Sequence, residues 1–343
     1  MKVLLNTTMK NLQGTTDEEF VFLTKETQKN LEEKFEVVYN TGESQFTKEE
    51  LMEKISDADA VITHWFSTKI DEDVLKAAKK LKIVAHLCGT VKPYICEEVY
   101  DRGIKVIGGN DLLFAQSVAE SALTYALVSL RKIDDDIMKM RTYNEKGWGM
   151  KEGKIRGLLC RTVGLVSFGA VAKHLAKMLT VFGCKVKAYS IDMTDEQLRE
   201  YGVESASLEE IFSTCDVISV HTAYNEHTHH YIDKRLISMI KDNALFINTS
   251  RGEVVDEEAL ADELSKNRFY AALDVFEQEP PPADSKLYGL PNCLMFPHRG
   301  GPTPDLYRHI TTKILDDVAN YLLKGEEPDS IISKERAFSM SVN

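Results

Sequence analysis

The stretch Gly164-Leu-Val-Ser-Phe-Gly-Ala-Val-Ala172 follows an alternating apolar run, Thr162 to Val166, and leads into a segment with helical spacing. A strand, a tight turn and a helix in this order are typical of the loop that binds dinucleotide phosphates. Where that loop usually has three glycines, this chain has Ser167, Gly169 and Ala172. The turn alone leaves two interpretations open, a cofactor loop and an ordinary α/β turn rich in small residues.

Short β-rich runs alternate with helical patterns from one end of the chain to the other. This alternation predicts βαβ units and parallel sheets that are covered on both faces. About eleven such runs are too many for one open sheet, so we predict two α/β domains. One helix, roughly Asp111 to Tyr143, is expected to connect them. A last amphipathic helix, about Pro304 to Leu323, is expected to pack back on the first domain, and the tail after Gly325 to be loosely ordered.

The composition excludes several classes of partner. With 42 basic and 54 acidic side chains the net charge is -12, so the chain lacks the basic surface that nucleic acid or an anionic membrane requires. No segment approaches the ~20 apolar residues that span a bilayer, and the N-terminus has too short an apolar run for a signal peptide. The six cysteines form no CxxC pair. We therefore expect a cytoplasmic protein with reduced core thiols.

Polar groups stand at the ends of three successive predicted strands. Arg251 follows the run ALFINTS, Glu279 comes shortly after AALDVF, and His298 follows CLMFP. Because the carboxyl ends of parallel strands meet at one edge of a sheet, where such folds bind ligands, we expect these three side chains to form a site. Each one taken alone is as readily a surface or structural residue.

The strand CKVKAYS ends about 20 residues after Gly169, where an acidic residue usually binds the ribose hydroxyls of the cofactor. Ser190 occupies that position, and Asp192 follows two residues later. No arginine or lysine follows before Arg199, so a pocket for a 2′-phosphate is not evident. The pattern favours NAD and leaves NADP open.

Two further groups of residues are given structural interpretations. The run His227-Thr-His-His230 contains three histidines, but one short polar turn rarely encloses a metal ion. We interpret it as a solvent-facing loop and predict no metal site. Cys88, beside Gly89, is interpreted as a buried thiol at a strand end because no base partner is evident.

Together these residues resemble the D-isomer-specific 2-hydroxyacid dehydrogenases. The most specific segments are AALDVFEQEPPPADSKLYGLPNCLMFPHRGGPT and ALFINTSRGEVVDEEAL, and LKIVAHLCGTVKPY resembles the family's substrate loop. The resemblance implies two Rossmann-like or flavodoxin-like parallel-sheet domains. Residues 1-116 with 300-343 would bind the substrate, and residues 117-299 would bind NAD. It also implies a homodimer.

The resemblance implies a role for each matching residue. His298 would exchange a proton with the substrate oxygen, Glu279 would stabilise its imidazolium form, and Arg251 would bind the substrate oxygens. Backbone amides near Gly89, Thr90 and Val91 would hold the carboxylate. The implied cofactor contacts are Ser167, Phe168, Gly169, Ala170, Val171, Ser190, Asp192, His221, Thr222, Ala223, Thr249, Asp274 and His298.

The implied activity is hydride transfer between a nicotinamide cofactor and a small 2-hydroxy or 2-oxo acid. The sequence departs from the family where glycine is replaced by Ser167, an acid by Ser190 and proline by Ala223, and its substrate loop reads Gly-Thr-Val-Lys from Gly89. The first three departures affect cofactor affinity, and the last affects the choice of substrate. An alternative function is a dinucleotide-sensing protein of the same fold with little or no turnover.

Overall fold

The computed structural model describes residues 1–14, 17–109, 113–141 and 155–339. The chain divides into two compact units. Unit 1 consists of Met1–Phe114 and Pro302–Asn343, and unit 2 consists of Ala115–Gly301.

Within the described ranges the chain forms twelve strands. Eleven of them correspond to the predicted runs, and the additional one, Val203–Ser205, is a short edge strand with two exposed residues. The strands are β1 Lys2–Thr8, β2 Glu36–Asn40, β3 Ala60–Thr63, β4 Ile83–His86, β5 Lys105–Gly108, β6 Thr162–Val166, β7 Lys185–Tyr189, β8 Val203–Ser205, β9 Val217–Val220, β10 Leu245–Asn248, β11 Tyr270–Leu273 and β12 Cys293–Met295.

Eight of the α-helices in the described ranges begin after a Thr, Ser or Asp whose side chain accepts a hydrogen bond from an amide of the first turn. In the third helix, for example, the hydroxyl of Thr47 accepts a hydrogen bond from the amide of Glu50, whose carboxylate accepts one from the amide of Thr47. The α-helices are α1 Met9–Gln13, α2 Lys25–Lys34, α3 Lys48–Ile55, α4 Glu72–Ala77, α5 Glu98–Asp101, α6 Leu113–Arg131, α7 Ile133–Arg141, α8 Ala170–Val181, α9 Asp195–Glu200, α10 Leu208–Thr214, α11 Lys234–Met239, α12 Glu257–Ser265, α13 Tyr307–Lys324 and α14 Lys334–Ser339.

The sheet of unit 1 has the strand order β2-β1-β3-β4-β5, and all of its pairs are parallel. Every residue of β3 and β4 is buried, because hydrophobic clusters cover both faces of the sheet. The prediction for the last long helix is confirmed: Ile310, Ile314 and Val318 of α13 are fully buried in the core of unit 1.

The chain after Gly325 is more ordered than predicted. Ser330 accepts a hydrogen bond from the amide of Gly108, and Ile332 donates one to Val106, so the segment pairs with the edge strand β5. The side chain of Ile332 is buried, and α14 follows it. The expectation of a loosely ordered tail was wrong for this segment because its few apolar residues complete the core next to β5.

The sheet of unit 2 has the order β12-β11-β10-β9-β6-β7-β8, again with parallel pairs only. The order reverses direction between β6 and β9, and folds of this type bind ligands beyond the carboxyl ends of the strands at such a point. Hydrophobic clusters pack on both faces of the sheet. The fold class expected from the alternation of strands and helices is confirmed.

The predicted connecting helix is two helices. The helix α6 ends at Arg131, Lys132 has a positive φ of 53°, and α7 begins at Ile133. Asp111 and Tyr143, the predicted ends, lie outside the described residues. By length and composition alone α6 would suffice to cross a membrane, which the prediction had excluded for every segment. Its buried residues, among them Ala122 and Ala126, belong to the core of unit 2.

The close packing of β6 against α10 gives a test of this arrangement. A Cβ atom on Gly164 would lie 2.5 Å from Ile211 Cγ2 and 2.9 Å from Cys215 Sγ. We predict that Gly164→Ala lowers the free energy of unfolding by about 1–3 kcal/mol, because both neighbours must shift. Gly157→Ala is the control, since its nearest neighbour would be an ordinary contact 3.7 Å away. Urea denaturation that finds the two variants equally stable would contradict this packing.

Candidate active site

The turn between β6 and α8 presents its backbone openly. Gly169 is the N-cap of α8, and no side chain caps the first turn of the helix. A Cβ atom on Gly169 would meet nothing within 4 Å, so a ligand has access to the backbone there. Free amide groups and the helix dipole favour an anion at such a position. The turn therefore fits the pyrophosphate of a dinucleotide.

Ser167 takes the first glycine position of the motif with a positive φ of 72°. This is the left-handed region, which glycine occupies more easily than serine. Its hydroxyl lies 2.9 Å from the hydroxyl of Thr222, beyond the end of β9, and its amide donates to the carbonyl of Tyr189. Ser167 thus ties the loop to both neighbouring strands, and glycine would keep the backbone bond to Tyr189 but lose the side-chain bond to Thr222.

At the end of β7, Ser190 is half-buried and Asp192 is exposed. The hydroxyl of Ser190 accepts a hydrogen bond of 3.3 Å from the amide of Asp192. The two candidates for the ribose contact therefore belong to one small turn. Their predicted contact with the cofactor stays a prediction.

Several polar atoms at the carboxyl edge of the unit 2 sheet are buried without a hydrogen-bond partner among the described residues. They include Nε2 of His221, Oγ1 of Thr249 and Nε of Arg251. Burial lowers the pKa of His221 to about 4 and thus keeps its ring neutral. Buried polar groups normally have partners, so unpaired atoms at this edge fit a groove that receives a polar ligand. These residues are compatible with a nicotinamide cofactor.

Asp274 organises the loop that follows β12. It is fully buried and lies just after β11, and its carboxylate accepts hydrogen bonds from the amides of Arg299 (2.9 Å) and Gly300 (2.7 Å) and from the hydroxyl of Tyr125 (3.0 Å). Its carbonyl oxygen accepts from the amide of His298. The prediction that Asp274 contacts the nicotinamide stays a prediction, while its contacts within the chain fix the backbone of His298.

His298 and Glu279 form a pair, as the sequence suggested. Nδ1 of His298 lies 2.5 Å from Oε2 of Glu279, and both side chains are about one-third exposed (35% and 36%). The other carboxylate oxygen of Glu279 accepts a hydrogen bond from the amide of Phe276, 3.0 Å away. Because Nδ1 is engaged with the carboxylate, Nε2 is the ring nitrogen left for a substrate oxygen.

Arg251 lies on a loop that touches the loop of Glu279. The side chain of Asn248 holds the Arg251 carbonyl at 2.9 Å. The next residue, Gly252, packs so closely that a Cβ would overlap the backbone of Phe276 and Glu277. Burial lowers the pKa of Arg251, and the charges of Glu253 and Glu279 oppose that shift. The structure thus brings together the loops of all three predicted catalytic residues.

A cavity of about 400 Å³ adjoins the dyad within unit 2. Glu279 and His298 form part of its wall, and the remaining lining is apolar apart from one tyrosine hydroxyl. That lining consists of Phe276, Pro280, Pro281, Tyr288, Met295, Phe296 and Pro297.

The predicted substrate loop belongs to unit 1. Val91 is fully buried and precedes the 3₁₀-helix Lys92–Tyr94, whereas Gly89 and Thr90 are half-buried. The loop's predicted role in holding the carboxylate stays a prediction. Cys88 is fully buried and burial raises its pKa well above the usual value, which agrees with its interpretation as a structural thiol. The cysteines as a group are less buried than expected, since Cys160 is exposed.

One residue was misjudged from the sequence. His230 is not a purely solvent-facing residue, because its Nε2 lies 2.6 Å from Oε1 of Glu277. The two residues are 47 positions apart in sequence, so no local spacing pattern indicates the pair. Among the residues that the structure describes, no group of three or more histidine, cysteine or acidic side chains is arranged to hold a metal ion.

Comparison with known proteins agrees with this geometry. Residues 123–300 match the NAD-binding domain of the D-isomer specific 2-hydroxyacid dehydrogenases. Hydroxypyruvate reductase of Thermotoga maritima is 34% identical over 79% of this chain and 87% of its own. Glyoxylate reductase of Thermococcus litoralis is 32% identical over 83% and 86%. The D-mandelate dehydrogenase structure of Rhodotorula graminis shares the fold, with a TM-score of 0.79 at 22% identity and 97% coverage of both chains.

The chain therefore belongs to the D-isomer specific 2-hydroxyacid dehydrogenases. It is an NAD(P)-dependent enzyme that acts on the CH-OH group of its donors, as the sequence predicted.

The bond between Ser167 and Thr222 leads to a prediction about cofactor affinity. We expect Ser167→Ala to weaken NAD(H) binding about 2- to 10-fold, because the loop loses one hydrogen bond but keeps a side chain in the left-handed region. Ser167→Gly removes the same bond and also relieves the backbone, so we expect it to bind NAD(H) more tightly than Ser167→Ala. Fluorescence titration measures both constants, and equal affinity in all three proteins would show that Ser167 is neutral.

Proposed function

We propose that this enzyme interconverts small 2-oxo and 2-hydroxy acids, with His298 and Glu279 as its acid/base dyad and Arg251 as its substrate clamp. The observation that carries the proposal is the 2.5 Å contact between Nδ1 of His298 and Oε2 of Glu279. The loop of Arg251 packs directly against the loop that carries Glu279.

The proton is handled by His298. Its Nδ1-H donates to Glu279, whose negative charge stabilises the imidazolium form. In the direction of reduction, Nε2-H gives a proton to the oxygen that was the substrate carbonyl. In the direction of oxidation, neutral Nε2 takes the proton from the hydroxyl group. Glu279 is held for this task by its second hydrogen bond, from the amide of Phe276.

Arg251 binds the substrate through its guanidinium group. The planar fork of N-H donors matches the geometry of a carboxylate and can also reach the neighbouring carbonyl oxygen. Burial makes the charge of Arg251 costly, as the lowered pKa indicates. An anionic substrate supplies the counter-charge that this buried cation favours.

The cofactor, NAD or NADP, exchanges a hydride with the substrate when it is bound. We propose that the β6–α8 turn holds its pyrophosphate through Ser167, Phe168, Gly169, Ala170 and Val171. The turn after β7, with Ser190 and Asp192, would contact the ribose. The nicotinamide end would lie along the edge formed by His221, Thr222, Ala223, Thr249, Asp274 and His298.

The substrate class is proposed from the relatives. The Thermotoga maritima and Thermococcus litoralis proteins are named as hydroxypyruvate and glyoxylate reductases. Both names denote 2-oxo acids with very short side chains. We propose that this enzyme also reduces short 2-oxo acids of this kind, in the cytoplasm.

Substitution of the three catalytic residues tests the proposal. We expect His298→Asn to lower kcat by roughly 10²- to 10⁴-fold, because the proton donor is lost while the cofactor still binds. Arg251→Lys should raise KM for the 2-oxo acid, since a lysine cannot offer the same fork. The measurement is the oxidation of NADH and NADPH in the presence of a panel of 2-oxo acids. The control is His227→Asn, which makes the same change at an exposed histidine outside the proposed site.

Two results would contradict the proposed roles. One is a His298→Asn enzyme that reduces the panel as fast as the parent. The other is a parent that binds NADH but reduces none of these acids, which is the behaviour of a dinucleotide sensor with little or no turnover.

We further propose that the enzyme is a homodimer that associates through the region of α7. Ile137 and Met140 on this helix expose 45% and 52% of their surface, which a partner subunit would cover.

Substitution of this apolar face tests the dimer. We expect Ile137→Glu combined with Met140→Glu to shift the molar mass from dimer to monomer, because the charges would be buried in the interface. Multi-angle light scattering measures the mass. Val181→Glu, an exposed apolar residue on α8, is the control. A parent that is monomeric, or a double variant that stays dimeric, would contradict the proposed interface.

A further inference from the structure

We propose that His230 is a positioning residue, which holds the loop of Arg251 and the loop of Glu279 in the arrangement that the reaction needs. The inference rests on the proposed function, since it concerns the same dyad and clamp. In the described part of the chain, no hydrogen bond joins His230 directly to the side chain of Arg251 or Glu279. It acts through the carbonyl of Glu253 and through the side chain of Glu277.

The first connection runs to the loop of Arg251. The amide of His230 donates to the carbonyl of Glu253 at 2.9 Å, two residues after Arg251. Ile232 continues the pairing, since its amide donates to Val254 and its carbonyl accepts from Asp256. The segment that begins at His230 is therefore laid along the loop that follows Arg251, like a short additional strand.

The second connection runs to the loop of Glu279. Nε2 of His230 donates to Oε1 of Glu277 at 2.6 Å, and the same oxygen accepts from the amide of Glu257 at 3.2 Å. In return, the carboxylate of Glu257 accepts from the amide of Glu277 at 3.0 Å. The side chains of His230 and Glu277 are only partly exposed, at 39% and 35%. His230 and Glu257 thus hold the side chain of Glu277, and Glu257 also holds its backbone amide.

The fixed segment leads directly to the dyad. Only Gln278 separates Glu277 from Glu279, and Glu279 turns back to accept a hydrogen bond from the amide of Phe276. On the other side, Gly252 lies in backbone contact with Phe276 and Glu277. His230 is therefore bonded to both loops close to their contact. Its backbone amide bonds to the loop of Arg251, and its side chain bonds to the loop of Glu279.

The local conformation of His230 is consistent with a dedicated role. Its φ is +48°, in the left-handed region that few residues other than glycine adopt. Its ring stacks on that of His229 with centroids 4.0 Å apart, and this stacking aims Nε2 at Glu277. Acidic residues stand on the two segments linked to it: Glu253 on the 3₁₀-helix Gly252–Val254, whose carbonyl accepts from the His230 amide, and Glu257 at the start of α12, which bonds to Glu277. A glycine would allow the backbone bond but not the bond to Glu277.

The expected effect falls on the chemical step. Proton transfer depends on the placement of the dyad, and a displacement of about 1 Å can cost roughly 100-fold in rate. Cofactor binding depends on the turn between β6 and α8, which His230 does not touch by any bond described above. Loss of the His230 side chain should therefore lower kcat with little change in the affinity for NADH.

The test compares His230→Leu, which cannot donate a hydrogen bond, with His230→Gln, whose amide can reach Glu277. His227→Leu is the matched control, because it removes an exposed histidine from the same turn. Steady-state kinetics give kcat and KM for a 2-oxo acid that the parent reduces, titration gives the NADH dissociation constant, and rates in H₂O and D₂O give the solvent isotope effect. Thermal unfolding shows whether each variant is folded.

We expect His230→Leu to lower kcat about 10-fold, which is less than the roughly 100-fold loss that a 1 Å displacement of the dyad can cause. Its solvent isotope effect should rise, because a misaligned dyad makes proton transfer more rate-limiting. His230→Gln should recover most of kcat, and His227→Leu should match the parent. A merely structural role would lower stability and NADH affinity together and leave the isotope effect unchanged.

Two results separate failure of this inference from failure of the proposed function. If the parent reduces 2-oxo acids and folded His230→Leu has the parent's kcat and isotope effect, the role of His230 is wrong while the proposed function stands. If the parent reduces none of the acids, the proposed function is wrong. Equal loss of kcat in His230→Leu and His230→Gln would likewise overturn the role of the hydrogen bond to Glu277.

Discussion

The buried carboxylate of Asp274 is the interaction on which the site depends. It lies at the end of β11, and its two oxygens gather the amides of Arg299 and Gly300 and the hydroxyl of Tyr125. A buried carboxylate without these donors would be strongly unfavourable, so the turn after β12 must fold back over it. That turn carries His298, whose own amide donates to the Asp274 carbonyl. His298, the proposed acid/base residue, is thus placed by the hydrogen bonds that the buried side chain of Asp274 requires.

The second requirement is close approach between loops. The parallel register of β10 with β11 brings Arg251 and Phe276 to the same edge of the sheet. The absence of a side chain at Gly252 then allows the two backbones to touch. The proposed clamp, the proposed dyad and the turn of His230 consequently share one edge of the unit 2 sheet. Under the proposed function, the backbone contact at Gly252 would help to set the separation between the proton donor and the anion-binding group.

The sequence was sufficient for the strands and for the residues at their ends. Buried parallel strands are continuous apolar runs, and a polar residue directly after such a run must lie at the sheet edge, which located Arg251 and His298. The missed strand β8 is short, polar and at the edge, so it has neither feature. The break at Lys132 was missed because apolar residues continue with helical spacing across it, and only the backbone angle shows the break.

Contacts between distant segments were the part that sequence patterns did not contain. His230 looked like one of several exposed histidines, and nothing in the sequence around Glu277 marks that residue as its partner. Their pairing depends on how the loops after β9 and β11 meet in space, which no periodicity encodes. Sequence patterns also gave no sign of the three groups that donate hydrogen bonds to Asp274. The family resemblance implied a different role for Asp274, a contact with the cofactor.

Glu257, Glu277 and the dyad residue Glu279 make one part of this edge acidic. Burial raises the pKa of Glu257, and the charges of Glu277 and Glu279 raise it further, because like charges close to a carboxyl group disfavour its ionised form. Arg251 places a buried positive charge on the neighbouring loop. Under the proposed function, the carboxylate of a substrate would be repelled by the glutamates and attracted to Arg251. This uneven charge would favour one orientation of a short anionic substrate, whose side chain offers little shape to recognise.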